Sequence, residues 1–118
     1  MADSVLFVGF GPPVRGREGK AVDVFGEAVA YYTSLQGGGE IESFEAVFLE
    51  AHGGDLGGFF LLRGDADKLA SVRTSDAFGR LNLRAGLVVE NLGVVGGFTG
   101  DAIATQMATY QEAVGDLT

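Results

Sequence analysis

The chain has no cysteine and no tryptophan, a single histidine and only two prolines in 118 residues. Without cysteine there can be no disulfide, thiolate nucleophile, iron–sulfur cluster or cysteine-ligated zinc. One histidine excludes a multi-histidine metal centre within one chain, and no metal site is expected. There is no run of about 18 apolar residues, so no membrane-spanning helix is expected. Nor does a basic segment followed by an apolar run and a small-residue cleavage site open the chain, and a cytoplasmic location follows as the expectation. Basic residues are scarce too, 8 against 16 acids for a net charge of −8. Between Ala21 and Leu62 there is no lysine or arginine, while Asp23, Glu27, Glu40, Glu42, Glu45, Glu50 and Asp55 all fall there. A surface so acidic excludes non-specific nucleic-acid binding, because a polyphosphate backbone is held by clustered cations.

What is present is apolar and periodic. The 47% hydrophobic content and 20% charge describe a globular domain, taken as one unit over residues 1–118. Residues 4–10 form an apolar run stopped by Gly11, Pro12 and Pro13, which predicts a strand ended where the prolines can no longer donate to a ladder. Residues 18–36 carry Val22, Phe25, Val29, Tyr32 and Leu35 at spacings of three and four, which predicts a helix with that stripe inward. Three glycines, Gly37 to Gly39, end it. A second strand is predicted over 41–52, with Phe44, Ala46, Phe48, Glu50 and His52 on one face. A hairpin through residues 53–57 leads to a third strand over 58–63. The next helical region reads as two pieces. The first spans 66–72 with Leu69 and Val72 inward; the second is capped within Thr74, Ser75 and Asp76 and carries Phe78, Leu81 and Ala85. A fourth strand over 92–99 precedes a last helix, capped by Asp101, whose Ile103, Met107, Tyr110 and Val114 form one narrow stripe.

Strand, helix, strand, strand, helix, strand with right-handed crossovers gives an α+β fold, a four-stranded antiparallel sheet with both helices on one face. The strands are apolar on both faces, so the other face needs cover, most simply a second copy of the chain. This order resembles the ferredoxin-like βαββαβ fold with an added C-terminal helix. It is similar to the dimeric α/β barrels, in which two such sheets form a shared barrel, and among them to the antibiotic-biosynthesis-monooxygenase-like, stress-responsive barrel and EthD- or NIPSNAP-like proteins. The resemblance implies a homodimer that binds a small apolar molecule, between sheet and helices or in the barrel. It also admits a cofactor-free monooxygenase or isomerase acting on an aromatic or polyketide-like substrate. A third option is a haem-binding barrel using His52; otherwise no cofactor is implied.

Few polar residues can carry chemistry. Glu50 and His52, two apart on the predicted second strand, would project together as a catalytic acid–base pair if their face lines the barrel. The blander reading of His52 is a solvated histidine at a strand end. Arg63, at the end of the third strand, is expected to reach the same site and bind a substrate carboxylate or enolate through its planar fork; an ion pair with a neighbouring acid is the plainer role. Phe44, Phe48 and Tyr32 are the expected apolar substrate-binding wall. The glycines around the first loop make no nucleotide site: Pro12 and Pro13 interrupt the dinucleotide spacing, and Gly19, Lys20 and Ala21 lack the hydroxyl residue a phosphate loop requires.

Overall fold

A computed structural model of the chain describes residues 3–117. Its elements are β1 (Ser4–Phe10), α1 (Glu18–Gly37), β2 (Ser43–Phe48), β3 (Gly58–Gly64), α2 (Ala66–Arg73), α3 (Asp76–Gly86), β4 (Gly93–Phe98) and α4 (Asp101–Gly115). The sheet runs β2-β3-β1-β4 with every pairing antiparallel. This is the ferredoxin-like α+β arrangement with an added C-terminal helix. Among the described residues no helix is long and apolar enough to cross a membrane.

The register sorts the side chains. Leu6 pairs with Leu62 and Val8 with Phe60, while Phe44 meets Leu62 and Val94 meets Val8, so these residues share one face. Val5, Phe7, Val47, Phe59, Leu61 and Val95 share the other. The helices cover only the first. There Leu6, Val8, Phe60 and Leu62 are buried beneath Val24 and Tyr32 of α1, Leu69 and Val72 of α2, and Phe78 and Leu81 of α3.

The stripe of α1 differs from expectation by part of a turn. Ala21, Val24, Ala28 and Tyr32 are the buried positions, and Val22 is 72% exposed. Both series fit helical spacing, and the small alanines decide between them because they let the helix axis approach the sheet. At its C-terminus Gly39 takes φ 80°, the left-handed conformation that glycine adopts without a Cβ clash. Between α2 and α3 the Ser75 hydroxyl donates to the Val72 carbonyl at 2.7 Å and accepts the Phe78 amide at 3.2 Å, which ends one helix and starts the next.

Two boundaries are corrected. The second strand ends at Phe48, not at residue 52, because the Leu49 amide turns to the Gly57 carbonyl at 2.8 Å and the Gly57 amide is taken by Phe10. The connection therefore spans residues 49–57 rather than 53–57. In α4, Asp101 is the first helical residue and makes no cap; Gly100 occupies that position at φ 57°. Among the described residues the stripe of α4 stays open: Ile103, Met107, Tyr110 and Val114 are 41–65% exposed, and the helix buries none of its residues. The projecting helix raises the radius of gyration to 16.3 Å, against about 13 Å for a compact chain of this length.

α1 and α3 are tied by a two-pronged ion pair, Arg84 Nε to Glu27 Oε1 at 3.0 Å and Nη2 to Oε2 at 2.8 Å. The guanidinium holds the Glu27 carboxyl below its ordinary value of 4.5. A carboxyl depressed by folding contributes stability that is present above the unfolded value and is lost as pH falls through the lower folded one. Carboxyl NMR titration should therefore place the Glu27 midpoint below the ordinary glutamate value, and Arg84→Met should move it upward. In the core, Leu62 is fully buried, and Leu62→Ala should cost about 3 kcal/mol in urea unfolding.

Candidate functional site

Between the covered face of the sheet and the pair α1 and α3 lies a cavity of about 470 Å³. It exists because the helices present small side chains there: Ala21 and Ala28 on α1 and Ala85 on α3 stand opposite Val8 and Phe60. The end wall is a short second pairing, in which Gly11 donates to Glu90 O at 2.7 Å, Glu90 donates to Pro12 O at 2.9 Å and Val14 donates to Val88 O at 2.8 Å. Gly11 is required in this wall, since a Cβ there would lie 2.7 Å from the Glu90 carbonyl oxygen and 2.9 Å from that of Asp55. The prolines that stop β1 thus hold the 88–90 segment against the cavity.

Aromatic rings lead inward from the mouth. Phe48 is 68% exposed at the entrance; its ring centroid lies 5.0 Å from Phe25, which stacks on Phe60 at 5.1 Å, which meets Tyr32 edge-on at 5.0 Å. Such offset and edge arrangements are favourable beyond their buried area, and they leave a flat, apolar lining. Among the described residues three lining side chains are polar: Glu18 at the exposed start of α1, Asn82 on α3 and Tyr32 within. The Asn82 amide group donates to the Phe78 carbonyl at 2.9 Å, which leaves its side-chain oxygen as a free acceptor. Burial pushes the Tyr32 hydroxyl well above the ordinary phenol value, so it keeps its proton.

Of the residues expected to form a site, Tyr32 and Phe48 line this cavity, and Phe44 packs beside it with its ring 5.7 Å from Tyr32. Glu50, His52 and Arg63 are not brought together. Glu50 and His52 lie beyond β2 in the exposed connection. The His52 Nδ1 accepts the Gly54 amide at 3.2 Å, so Nε2 carries the proton and donates to the Leu56 carbonyl at 2.7 Å. Both ring nitrogens thereby brace the loop. Arg63 pairs across the sheet with Ser43, at the far end of the hairpin from that loop, because antiparallel pairing sets the end of one strand beside the start of the other. It lies on the uncovered face and forms an ion pair with Glu45 at 3.1 Å. Among the described residues no group of three or more His, Cys, Asp or Glu is placed to hold a metal ion.

Sequence reasoning passed over Asn82, Glu18 and the wall made by residues 11–13. The available signal was the recurrence of alanine on helix faces turned to large sheet residues, which marks missing volume.

No family model and no curated protein matches the chain. Solved structures do match. A dimeric ferredoxin-like protein of unknown function from Jannaschia sp. CCS1 has a TM-score of 0.61 at 15% identity, with 82% of this chain and 98% of that one covered. An ethyl tert-butyl ether (EthD) family protein from Bacillus halodurans C-125 follows at 0.58 and 10% identity, covering 83% and 99%. SnoaB, a cofactor-independent oxygenase from Streptomyces nogalater, gives 0.54 at 15% identity, covering 84% and 95%. Over more than four fifths of its length, this chain therefore shares the ferredoxin-like fold of these proteins.

Proposed function

We propose that the protein binds a small, largely apolar, ring-bearing molecule in the cavity between the sheet and helices α1 and α3. The observation that carries this reading is the run of rings from Phe48 to Tyr32 along a cavity of about 470 Å³, a size typical of small-molecule sites. A structural core has no use for an unfilled volume of that kind, since absent packing partners forfeit dispersion energy. The likeness to SnoaB favours an oxygenase as the second reading. In it the ionisable side chains on hand are Glu18 and Tyr32, whereas His52 and Glu50 would act only from outside the cavity.

The same proposal assigns the uncovered face to a second copy. The tilted rings of Phe7 and Phe59 lie 4.9 Å apart in the middle of that face, with Val5, Leu61 and Val95 around them and the Arg63–Glu45 pair toward one end. An apolar centre with a polar margin is the make-up of a protein interface. The stripe of α4, about 22 Å long, adds Ile103, Met107 and Tyr110 to the surface available for it. The dimeric description of the Jannaschia protein supports a homodimer, in the manner of the dimeric α/β barrels.

Nile red should bind saturably with a blue-shifted emission. Ala28→Phe, which fills the cavity from α1, should weaken binding by at least about tenfold with far-UV circular dichroism unchanged; undiminished binding would place the dye elsewhere and reject the cavity. Sedimentation at micromolar concentration should give a dimer, and Phe7→Asp combined with Met107→Asp should give a folded monomer. A monomeric native protein would dispose of the second copy.

A further inference from the structure

The ligand's chemistry can be narrowed, on the footing of the cavity reading above, by asking what each polar group of the cavity still lacks. Tyr32 is 1% exposed and its ring is held between Phe44 and Phe60. Tyrosine hydroxyls buried this deeply ordinarily find a partner. The neighbouring Tyr31 does so, its hydroxyl lying 3.4 Å from Ser75 Oγ. The Tyr32 hydroxyl has no hydrogen-bond partner among the described residues, yet no side-chain oxygen or nitrogen there is both sealed off and unpaired. Its oxygen therefore still borders open space, and Tyr32 is one of the residues that line the cavity.

Charge restricts the ligand further. Among the described residues no lysine, arginine or histidine lines the cavity, and the one charged side chain on it is the Glu18 carboxylate. An acid entering would lose its hydration with no cation to replace it and would pass a like charge. A neutral molecule meets neither cost. From Tyr32 and this absence of cations we infer that the site takes an uncharged ring compound bearing a hydrogen-bond-accepting oxygen, such as a ketone or ester, which the Tyr32 hydroxyl receives. Because burial keeps the phenol protonated, Tyr32 acts as a donor throughout the physiological pH range.

Three probes of one shape separate the possibilities by calorimetry at neutral pH: methyl naphthyl ketone, ethylnaphthalene and naphthoate. The wild-type protein should bind the ketone up to about tenfold more tightly than the hydrocarbon, and the naphthoate more weakly than either. In Tyr32→Phe the preference for the ketone should vanish while the hydrocarbon binds as before, and the ketone's carbonyl stretching band, lowered in the wild-type complex, should rise. A ketone preference or a lowered band that survives in Tyr32→Phe overturns the inference, as does naphthoate binding that equals the ketone's. If the hydrocarbon binds but the ketone gains nothing over it, this inference fails and the cavity reading stands. Failure of all three probes to bind removes both.

Discussion

The rest of the structure depends on one constraint: β1 and β3, the two central strands, are apolar at successive positions, and successive positions point to opposite faces. Phe59, Phe60, Leu61 and Leu62 cannot all enter one core. Phe60 and Leu62 meet the helices; Phe59 and Leu61 are carried to the other side. Every consequence here follows from that division. The covered face has helices that do not wholly fill it, and the uncovered face has apolar side chains with no helix of the described residues packed across them.

On the covered face, the balance between core and cavity is set locally. Toward α2, Leu62, Leu69 and Val72 are buried together. Toward the start of α1 the packing opens, because Ala21, Ala28 and Ala85 supply little volume and the 11–14 segment is anchored to 88–90 instead of folding over the gap. The Glu27–Arg84 pair then fixes the spacing of α1 and α3.

Much of this is legible in the sequence. Element order, the break at Ser75 and the apolar stripes of α2 and α3 follow from caps and periodicity, which are local signals. The α1 stripe was misplaced at Val22 because Ala21 and Ala28 carry almost no hydropathy weight, although their smallness positions the helix. His52 was set on a strand because alternation continued past Phe48; the ladder had already ended there, in hydrogen bonds among Leu49, Gly57 and Phe10 that no local pattern announces. Arg63 and His52 were drawn together by counting residues along a hairpin, where register decides the matter. Asn82 became visible only once α3 faced the sheet. Cavities are differences between volumes contributed by distant segments, and a linear reading weighs each segment alone.

The same double apolarity raises a question of register. Where one face is polar, a one-residue slip is punished by burying polar groups; where both faces are apolar, hydrophobicity barely distinguishes the two alignments. Here close approach does the distinguishing. A Cβ at Gly58 would sit 2.6 Å from the Val47 carbonyl oxygen and 2.9 Å from the Phe10 ring. A slip of β3 by one residue toward its N-terminus would bring Phe59 to Gly58's place opposite Phe10, where that gap cannot receive a side chain. It would also exchange Phe60 for a neighbour on the cavity floor and turn Phe60 outward. Gly58, which looks like a weak point in a strand, therefore holds the alignment that separates the covered side of the sheet from the side left for a partner.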